Sequence, residues 1–169
     1  TKNILRLNTD GSIDKTFHSD KTLSGYISSI AVQSDEKIII GGDNLSQIDG
    51  NYVDIRRLKD NGEIDNTFNS YATKYDHGIS SIYIEPNDKI LLVSKKNSEY
   101  SNDNNSEFKR LESNGLIDST FDIGEGFNGN INSVFKQVDG SIIITGGFTK
   151  YKNEWCNGTV RLIGEKTNL

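Results

Sequence analysis

The sequence predicts an all-β fold assembled from repeated antiparallel sheets, and three observations lead to this prediction. Two different motifs recur with nearly the same period along the 169 residues. Both motifs contain short runs of β-branched and aromatic residues bounded by turn residues. No long stretch places apolar residues at the i, i+3, i+4 and i+7 positions of an amphipathic helix. An array of similar β-sheets accounts for all three observations.

The first motif defines the repeat. It reads RLNTDGSIDKTF at 6–17, RLKDNGEIDNTF at 57–68 and RLESNGLIDSTF at 110–121, and a fourth copy begins with Arg161 and Leu162. The copies start 51, 53 and 51 residues apart. An Asp-Gly or Asn-Gly pair between β-branched residues is a strong hairpin signal, because a tight turn needs residues that tolerate positive φ. All three complete copies carry such a pair, so each predicts two short strands joined by a turn.

The register of this hairpin follows from its charges. A two-residue turn would place Arg6 opposite Lys15, which is a like-charge pair. A three-residue loop with glycine in the left-handed position instead places Arg6 opposite Asp14 and Leu7 opposite Ile13. Cross-strand pairs contribute roughly 0.2–1 kcal/mol each, so the second register is favoured. The same register predicts four further pairs: Arg57 with Asp65, Leu58 with Ile64, Arg110 with Asp118, and Leu111 with Ile117.

The second motif alternates with the first and predicts two more strands in each repeat. It begins as ISSIAVQSDEKIIIGG at Ile27, ISSIYIEPNDKILLVS at Ile79 and INSVFKQVDGSIIITGG at Ile131, always 52 residues apart. Its second strand is a continuous apolar run, Ile-Ile-Ile in the first copy and Ile-Leu-Leu-Val in the second. A sheet with one solvated face would alternate apolar and polar residues, so we expect these strands to be covered on both faces.

Antiparallel strands that are buried on both sides and recur at a fixed period describe sheets stacked face to face. Linear stacking gives a solenoid and radial stacking gives a β-propeller, and four strands per unit favour the propeller. We therefore predict an all-β, β-propeller-like array of four-stranded antiparallel blades, with about three repeats of ~52 residues. We expect residues 1–169 to be a single repeat domain or part of a larger propeller. The predicted units are the outer strands of a partial blade at 1–17, blades at 27–68 and 79–121, and an incomplete blade at 131–163.

Three repeats are fewer than the roughly four to eight blades with which propellers close. The sequence also contains no methionine, not even at position 1. We expect the chain to be a portion of a longer protein, in preference to an arc completed by another subunit or a short open stack. Exposed sheet edges at both ends would otherwise pair with other chains.

The RLN-x-DGSID-x-TF motif and the later strand ending in Gly-Gly resemble the delta-60 repeat family of bacterial and viral β-propellers. The likeness covers nearly the whole chain and is best at 121–162. The middle copy departs from it, since Ser94-Lys95 replaces the glycine pair and a polar loop at 96–107 follows. The resemblance implies a non-catalytic propeller module, often found in secreted, cell-surface or phage-tail proteins. Kelch propellers are a rival likeness, but the recurrent DGSID box fits them poorly.

Composition excludes several functional classes. With 19 basic and 24 acidic residues, the net charge of -5 argues against a protein that neutralises duplex nucleic acid. A single cysteine, Cys156, excludes an internal disulfide framework and a cysteine-built zinc site. No apolar run approaches the ~20 residues of a membrane-spanning helix, so membrane insertion is not expected.

Candidate chemistry is sparse. The GxGxxG pattern at 124–129 runs into a predicted strand rather than a helix, so it is interpreted as a connector and not as a dinucleotide site. The acidic turn at 10–14 fits turn chemistry better than a calcium loop. His18 and His77 lie in different repeats without metal-ligand spacing. We predict no catalytic residue, no metal site and no cofactor.

The candidate binding residues are Tyr52, Tyr151 and Trp155, in the long loops that precede the arginine strand. Aromatic residues on loops held by a rigid scaffold are natural contacts for a sugar or a protein. Packing between blades is the alternative and the more common role of such residues. The loops themselves, at 43–54, 95–107 and 148–158, differ between repeats and could supply further contacts.

The expected function is a non-enzymatic structural or recognition module of an extracellular assembly, such as a phage tail, a virion or an adhesive bacterial surface protein. Its expected partners are other subunits or further blades, and a surface glycan or receptor. The alternatives are a kelch-like interaction propeller and a hydrolase or lyase with a site in the central channel. The predicted inner strands oppose the enzyme, because they offer these residues rather than carboxylates or histidines: Ser28, Ser29, Ser80, Ser81, Asn132 and Ser133.

Overall fold

The computed structural model describes residues 4–48, 51–70, 76–96 and 106–163. These residues form no helix, so nothing in them could cross a membrane as an apolar helix. The all-β prediction is confirmed. The strands, numbered along the chain, are β1 Tyr26–Val32, β2 Ile38–Ile48, β3 Asn51–Leu58, β4 Asp76–Ile84, β5 Ile90–Lys96, β6 Glu107–Leu111, β7 Ile131–Lys136, β8 Ile142–Gly146, β9 Lys150–Tyr151, β10 Glu154–Trp155 and β11 Thr159–Leu162.

The strands form three antiparallel sheets of the same design. Sheet 1 has the order β1-β2-β3, sheet 2 the order β4-β5-β6, and sheet 3 the order β7-β8-β11. The short strands β9 and β10 pair with each other and lie between β8 and β11 in the chain, and Tyr151 of β9 also forms a single β-bridge with Phe127. Each sheet therefore contains the two strands of the second motif and the arginine strand of the first.

The sheets contain three strands rather than the predicted four. The fourth position is occupied by single β-bridges, Leu58 to Ile64 and Leu111 to Ile117. Pairing stops there because Asp65, one residue later, accepts the backbone N–H of Thr67 at 3.0 Å and turns the chain away from the sheet. The described residues also form no closed ring. The described residues therefore do not form the predicted four-stranded blades.

The register predicted for this hairpin is confirmed in all three copies. The bridges join the expected leucine and isoleucine, including Leu7 to Ile13 in the first copy. Each arginine Nε donates to the expected aspartate, at 2.8 Å for Arg6–Asp14, 2.9 Å for Arg57–Asp65 and 2.6 Å for Arg110–Asp118. Each guanidinium also lies over the phenylalanine that ends its motif, within 4.6 to 5.1 Å of the ring centroid.

The sheets stack face to face, as the continuous apolar runs predict. Neighbouring residues of β5 show this directly, since Leu92 points towards sheet 1 and Leu91 towards sheet 3. The cluster between sheets 1 and 2 contains Ile39, Ile55, Phe68, Ile79, Ile82, Ile90, Leu92 and Leu111. The cluster between sheets 2 and 3 contains Leu91, Val93, Phe108, Phe127, Ile131, Ile142, Ile144 and Phe148. The segment before β1 covers the other face of sheet 1, in a cluster of Phe17, Leu23, Ile38, Ile40, Leu45 and Leu58.

The arginines of the first two copies also bind the repeat that follows. Arg6 Nη1 donates to the backbone carbonyl of Asp60 at 2.7 Å, and Arg57 Nη1 donates to that of Ser113 at 2.9 Å. Asp60 and Ser113 occupy the same place, three residues after the arginine of the next copy. Arg6 and Arg57 therefore each close their own hairpin and attach it to the next repeat.

Candidate binding surface

The strands β9 and β10 form a small hairpin that presents aromatic and cationic side chains. Its two turn residues, Lys152 and Asn153, have φ of 48° and 66°. Positive φ at both central residues is the geometry of a two-residue type I′ turn, which matches the twist of the flanking strands. We call residues 150–155 the aromatic hairpin.

The aromatic hairpin is fixed to the glycine-rich segment before sheet 3. The Asn128 Oδ1 accepts the backbone N–H groups of Thr149 at 2.9 Å and Lys150 at 2.7 Å. The N–H of Lys152 donates to the carbonyl of Gly126 at 3.0 Å. In the structure the GxGxxG pattern is thus a turn that supports the hairpin, in agreement with its interpretation as a connector.

Tyr151 anchors the hairpin through its ring. Its centroid lies 4.7 Å from that of Phe127, which in turn lies 4.6 Å from Phe148 in the cluster between sheets 2 and 3. Burial raises the pKa of the Tyr151 phenol, and the Asp122 carboxylate adds to the effect. Tyr151 is half-buried, so most of its ring is engaged in packing.

Trp155 is presented to solvent on the same hairpin. It is 78% exposed, and the Lys150 Nζ lies 4.6 Å from its ring centroid. Beside it the Asn153 Nδ2 donates to Glu125 at 2.6 Å. An exposed indole with a cation against it and polar groups around it can stack on the apolar face of a sugar ring or on a protein side chain.

Tyr52 lies in another part of the molecule. It is an exposed residue of β3, paired with Gln47 of β2 near the tip of that hairpin. Sheet 2 separates sheet 1 from sheet 3, so the structure brings Tyr151 and Trp155 together and leaves Tyr52 apart. Of the predicted display loops, residues 49–50 and 97–105 lie outside the described residues.

A groove between sheets 2 and 3 is a second feature, which the sequence did not suggest. It has a volume of about 480 Å³, and its walls include Phe121 and Leu162 as well as Glu85, Arg110 and Lys136. The Lys136 Nζ lies 3.4 Å from one Glu85 oxygen, and the Arg110 Nη1 lies 3.6 Å from the other. The Glu85 carboxylate thus lies between the two cations of the groove.

Asp118 holds the arginine of this groove in place. It accepts hydrogen bonds from the Lys89 Nζ at 2.8 Å and from the Arg110 Nε at 2.6 Å. The hydrogen bonds from Lys89 and from Thr120 hold the pKa of the Asp118 carboxyl well below its usual range. Since Arg110 and Lys136 both have carboxylate partners already, the groove offers an anion little attraction.

The serines of the predicted inner strands have structural partners. The Ser28 hydroxyl donates to the backbone carbonyl of Ile79, and the Ser29 Oγ accepts the N–H of Ile82 at 2.9 Å. Both contacts join sheet 1 to sheet 2. Among the described residues, no group of three or more His, Cys, Asp or Glu side chains is placed to hold a metal ion.

Of the histidine and cysteine candidates, His18 and Cys156 make structural contacts. The backbone N–H of His18 donates to the carbonyl of Asn61 at 2.7 Å, which adds another link between repeats. The side chain of His77 lies outside the described part of the structure. Cys156 is a free, half-buried thiol packed against the cluster between sheets 2 and 3.

Comparison with known proteins supports the architecture. Residues 1–17, 33–68 and 137–162 match the family described as "Domain of unknown function (DUF5122) beta-propeller". The stacked antiparallel sheets and this match together support a β-propeller domain. The similarity is thus to a β-propeller family whose function is unknown. No curated protein and no solved structure gives a significant match to the chain.

Proposed function

We propose that this β-propeller domain is a non-enzymatic structural and recognition module of an extracellular assembly. The aromatic hairpin carries the proposal, because Trp155 is exposed on a backbone that Asn128 and Tyr151 fix in place. A side chain held in advance loses little conformational entropy when it contacts a partner. The stack of sheets acts as the support and the hairpin as the contact.

The proposed ligand is a surface glycan or a protein receptor. An exposed indole supplies a flat apolar face, and the adjacent ammonium of Lys150 and carboxylate of Glu125 supply polar contacts for hydroxyl groups. The proposed setting is a bacterial cell surface, a phage tail or a virion, as the resemblance to delta-60 repeat proteins implies. Other subunits or further blades are the proposed structural partners, and neither nucleic acid nor membrane is a proposed target.

The chemistry of the described residues supports a role without catalysis. The hydroxyls of Ser28 and Ser29 are engaged between sheets, and the cations of the groove are paired with Glu85 and Asp118. A catalytic base or nucleophile would need a partner and an open position beside it.

A glycan array and a panel of bacterial surface proteins test the proposal. We expect the protein to bind a restricted set of probes, and Trp155→Ala to weaken that binding at least ~10-fold, since exposed aromatic contacts dominate such sites. Tyr26→Ala is the matched control, because Tyr26 is also a strongly exposed aromatic residue but lies on β1. Binding that is unchanged in Trp155→Ala, or no binding to any probe, would contradict the proposal.

A further inference from the structure

Sheet 3 exposes a face whose counterparts in the other sheets are covered. Phe135, Ile143 and Arg161 stand side by side across β7, β8 and β11 on the face directed away from sheet 2. Phe135 is 65% exposed, whereas its counterpart in sheet 2, Tyr83, is half-buried. Ile143 is half-buried, whereas its counterpart Leu91 is 1% exposed. No described residue covers these three side chains as sheet 3 covers Leu91. We call Phe135, Ile143 and Arg161 the tail face.

The first hairpin exposes the opposite half of a junction. Leu7 is 55% exposed, although its counterparts Leu58 and Leu111 are each 0% exposed. Those two leucines are buried because the preceding repeat packs on them, Phe17 on Leu58 and Ile39 with Ile55 on Leu111. Leu5 and Ile13 are likewise exposed beside Leu7. We call Leu5, Leu7 and Ile13 the head face.

The junction inside the chain shows how such faces fit. At the junction of sheets 1 and 2, Ile39 of the tail side lies in one cluster with Leu111 of the head side. Arg57 of the tail side donates to the carbonyl of Ser113, three residues after the head-side arginine. Arg161 is the counterpart of Arg57, and Thr9 is the counterpart of Ser113.

We propose that a second copy of this chain docks head to tail, with its head face on the tail face of the first. Leu7 of the second copy packs on Phe135 and Ile143, and Arg161 donates to the backbone carbonyl of Thr9 of the second copy. Arg161 can do so because its described contact with Asp139 uses only Nη2. The interaction continues the interface that the chain already uses between its own repeats.

This interface is heterologous, since two different surfaces meet. Repetition of one such contact produces either a closed ring or an open filament. The head hairpin brings only its arginine strand and turn, so the contact is smaller than an internal junction. We expect an association that becomes visible at about 10–500 μM, the range of a weak protein–protein contact.

Sedimentation velocity and native mass spectrometry over that concentration range test the proposal. The unaltered chain is expected to form dimers and larger species as its concentration rises. Leu7→Asp and Phe135→Asp each place a carboxylate in one face, and each variant alone is expected to remain monomeric. Tyr26→Asp is the control, because it introduces the same charge at an exposed aromatic residue outside both faces.

The mixture of the two variants gives the sharper result. Leu7→Asp keeps an intact tail face and Phe135→Asp keeps an intact head face, so an equimolar mixture is expected to form a 1:1 heterodimer and nothing larger. Far-ultraviolet circular dichroism verifies that each variant is folded. We expect both to fold, because the substituted side chains are exposed. An unaltered chain that stays monomeric throughout, or a Leu7→Asp variant that associates by itself, would overturn the proposal. Trp155→Ala is expected to associate normally, so this test is independent of the proposed ligand binding.

Discussion

The two internal junctions of the molecule use the same repeat positions with different chemistry. Between sheets 1 and 2, the Gln33 Nε2 donates to the carbonyls of Asp88 and Ser113, both at 3.2 Å. Arg57 donates to the same Ser113 carbonyl. Between sheets 2 and 3, Glu85 replaces Gln33 and pairs with Lys136 of the next sheet. The first junction is joined through backbone carbonyls, and the second through charged side chains.

The difference shows how one fold position can be satisfied in two ways. A glutamine that donates to main-chain carbonyls requires no particular side chain from its neighbour. A glutamate requires a cation, which Lys136 supplies where its counterparts Ile84 and Val32 are apolar. The ionic junction also contains the groove, whose walls include Glu85, Arg110 and Lys136.

The largest expected effect is on stability, and it differs between Arg57 and Arg110. Arg57→Ala is expected to lower the free energy of unfolding by about 3–5 kcal/mol, because it leaves the buried Asp65 carboxylate without its close cation. Lys37 cannot replace it well, since its Nζ lies 3.9 Å from that carboxylate. Arg110→Ala is expected to cost clearly less, because Lys89 remains 2.8 Å from Asp118. Urea denaturation at pH 7 measures both, and equal losses would show that the second cation has no compensating role.

The next expected effect concerns the ionic junction. Glu85→Gln is expected to lower stability by about 1–3 kcal/mol, because it leaves the half-buried Lys136 ammonium without its partner. Lys136→Val is expected to cost less, because the Arg110 Nη1 remains 3.6 Å from the Glu85 carboxylate. The double variant reproduces the glutamine and the apolar residue of the first junction. Its loss of unfolding free energy is therefore expected to be smaller than the sum of the two single losses by about 1–2 kcal/mol. Additive losses in the double-mutant cycle would mean that this pair is not coupled.

The smallest effect near neutral pH comes from the aspartates of the first motif. Hydrogen bonds from Thr16, followed by that from Arg6, lower the pKa of Asp14 to about 2, and the pKa of Asp118 is also lowered. A carboxyl whose pKa is lower in the folded state stabilises the protein above its unfolded-state pKa and loses that effect as the pH falls. Unfolding free energy is therefore expected to be steady from pH 8 to about pH 5 and to fall between about pH 4 and pH 2.

Asp118→Asn provides the comparison for this titration. The variant is expected to be less stable at neutral pH and to show a shallower acid dependence, because the most strongly shifted of the two groups is removed. Urea midpoints at a series of pH values measure the slope. A slope unchanged by the substitution would show that other groups control the acid response.

Much of the fold could be predicted because its signals are local and repeated. The two alternating motifs predicted the strands, and continuous apolar runs such as 38–40 predicted burial on both faces of the sheet. The pairing of opposite charges predicted the register that places Arg57 opposite Asp65. The fourth strand was overestimated, because the side chain of Asp65 binds the backbone of Thr67 and ends the pairing. Whether the aspartate side chain or the partner strand binds the backbone depends on three-dimensional geometry, which a sequence pattern of strand-forming residues does not contain.

The candidate surface was predicted less completely. The loop position of Trp155 was visible in the sequence, but the hairpin that presents it was not, because its Lys-Asn turn lacks the glycine of a typical tight turn. The groove depends on Glu85 and Lys136, whose proximity arises only when two sheets are stacked. A comparison of repeat-equivalent positions would have found this exchange of Gln33 for Glu85.

In the next repeat, the acceptor for Arg6 and for Arg57 is a peptide carbonyl and not a side chain. Any further unit that makes the same turn offers that oxygen, whatever its sequence. A gene duplication that inserts one whole unit would therefore yield a chain whose new neighbours already fit, without a compensating substitution. Growth of such a protein by copying is favoured over growth by gradual lengthening, because a partial unit would bring an arginine with no carbonyl to receive it.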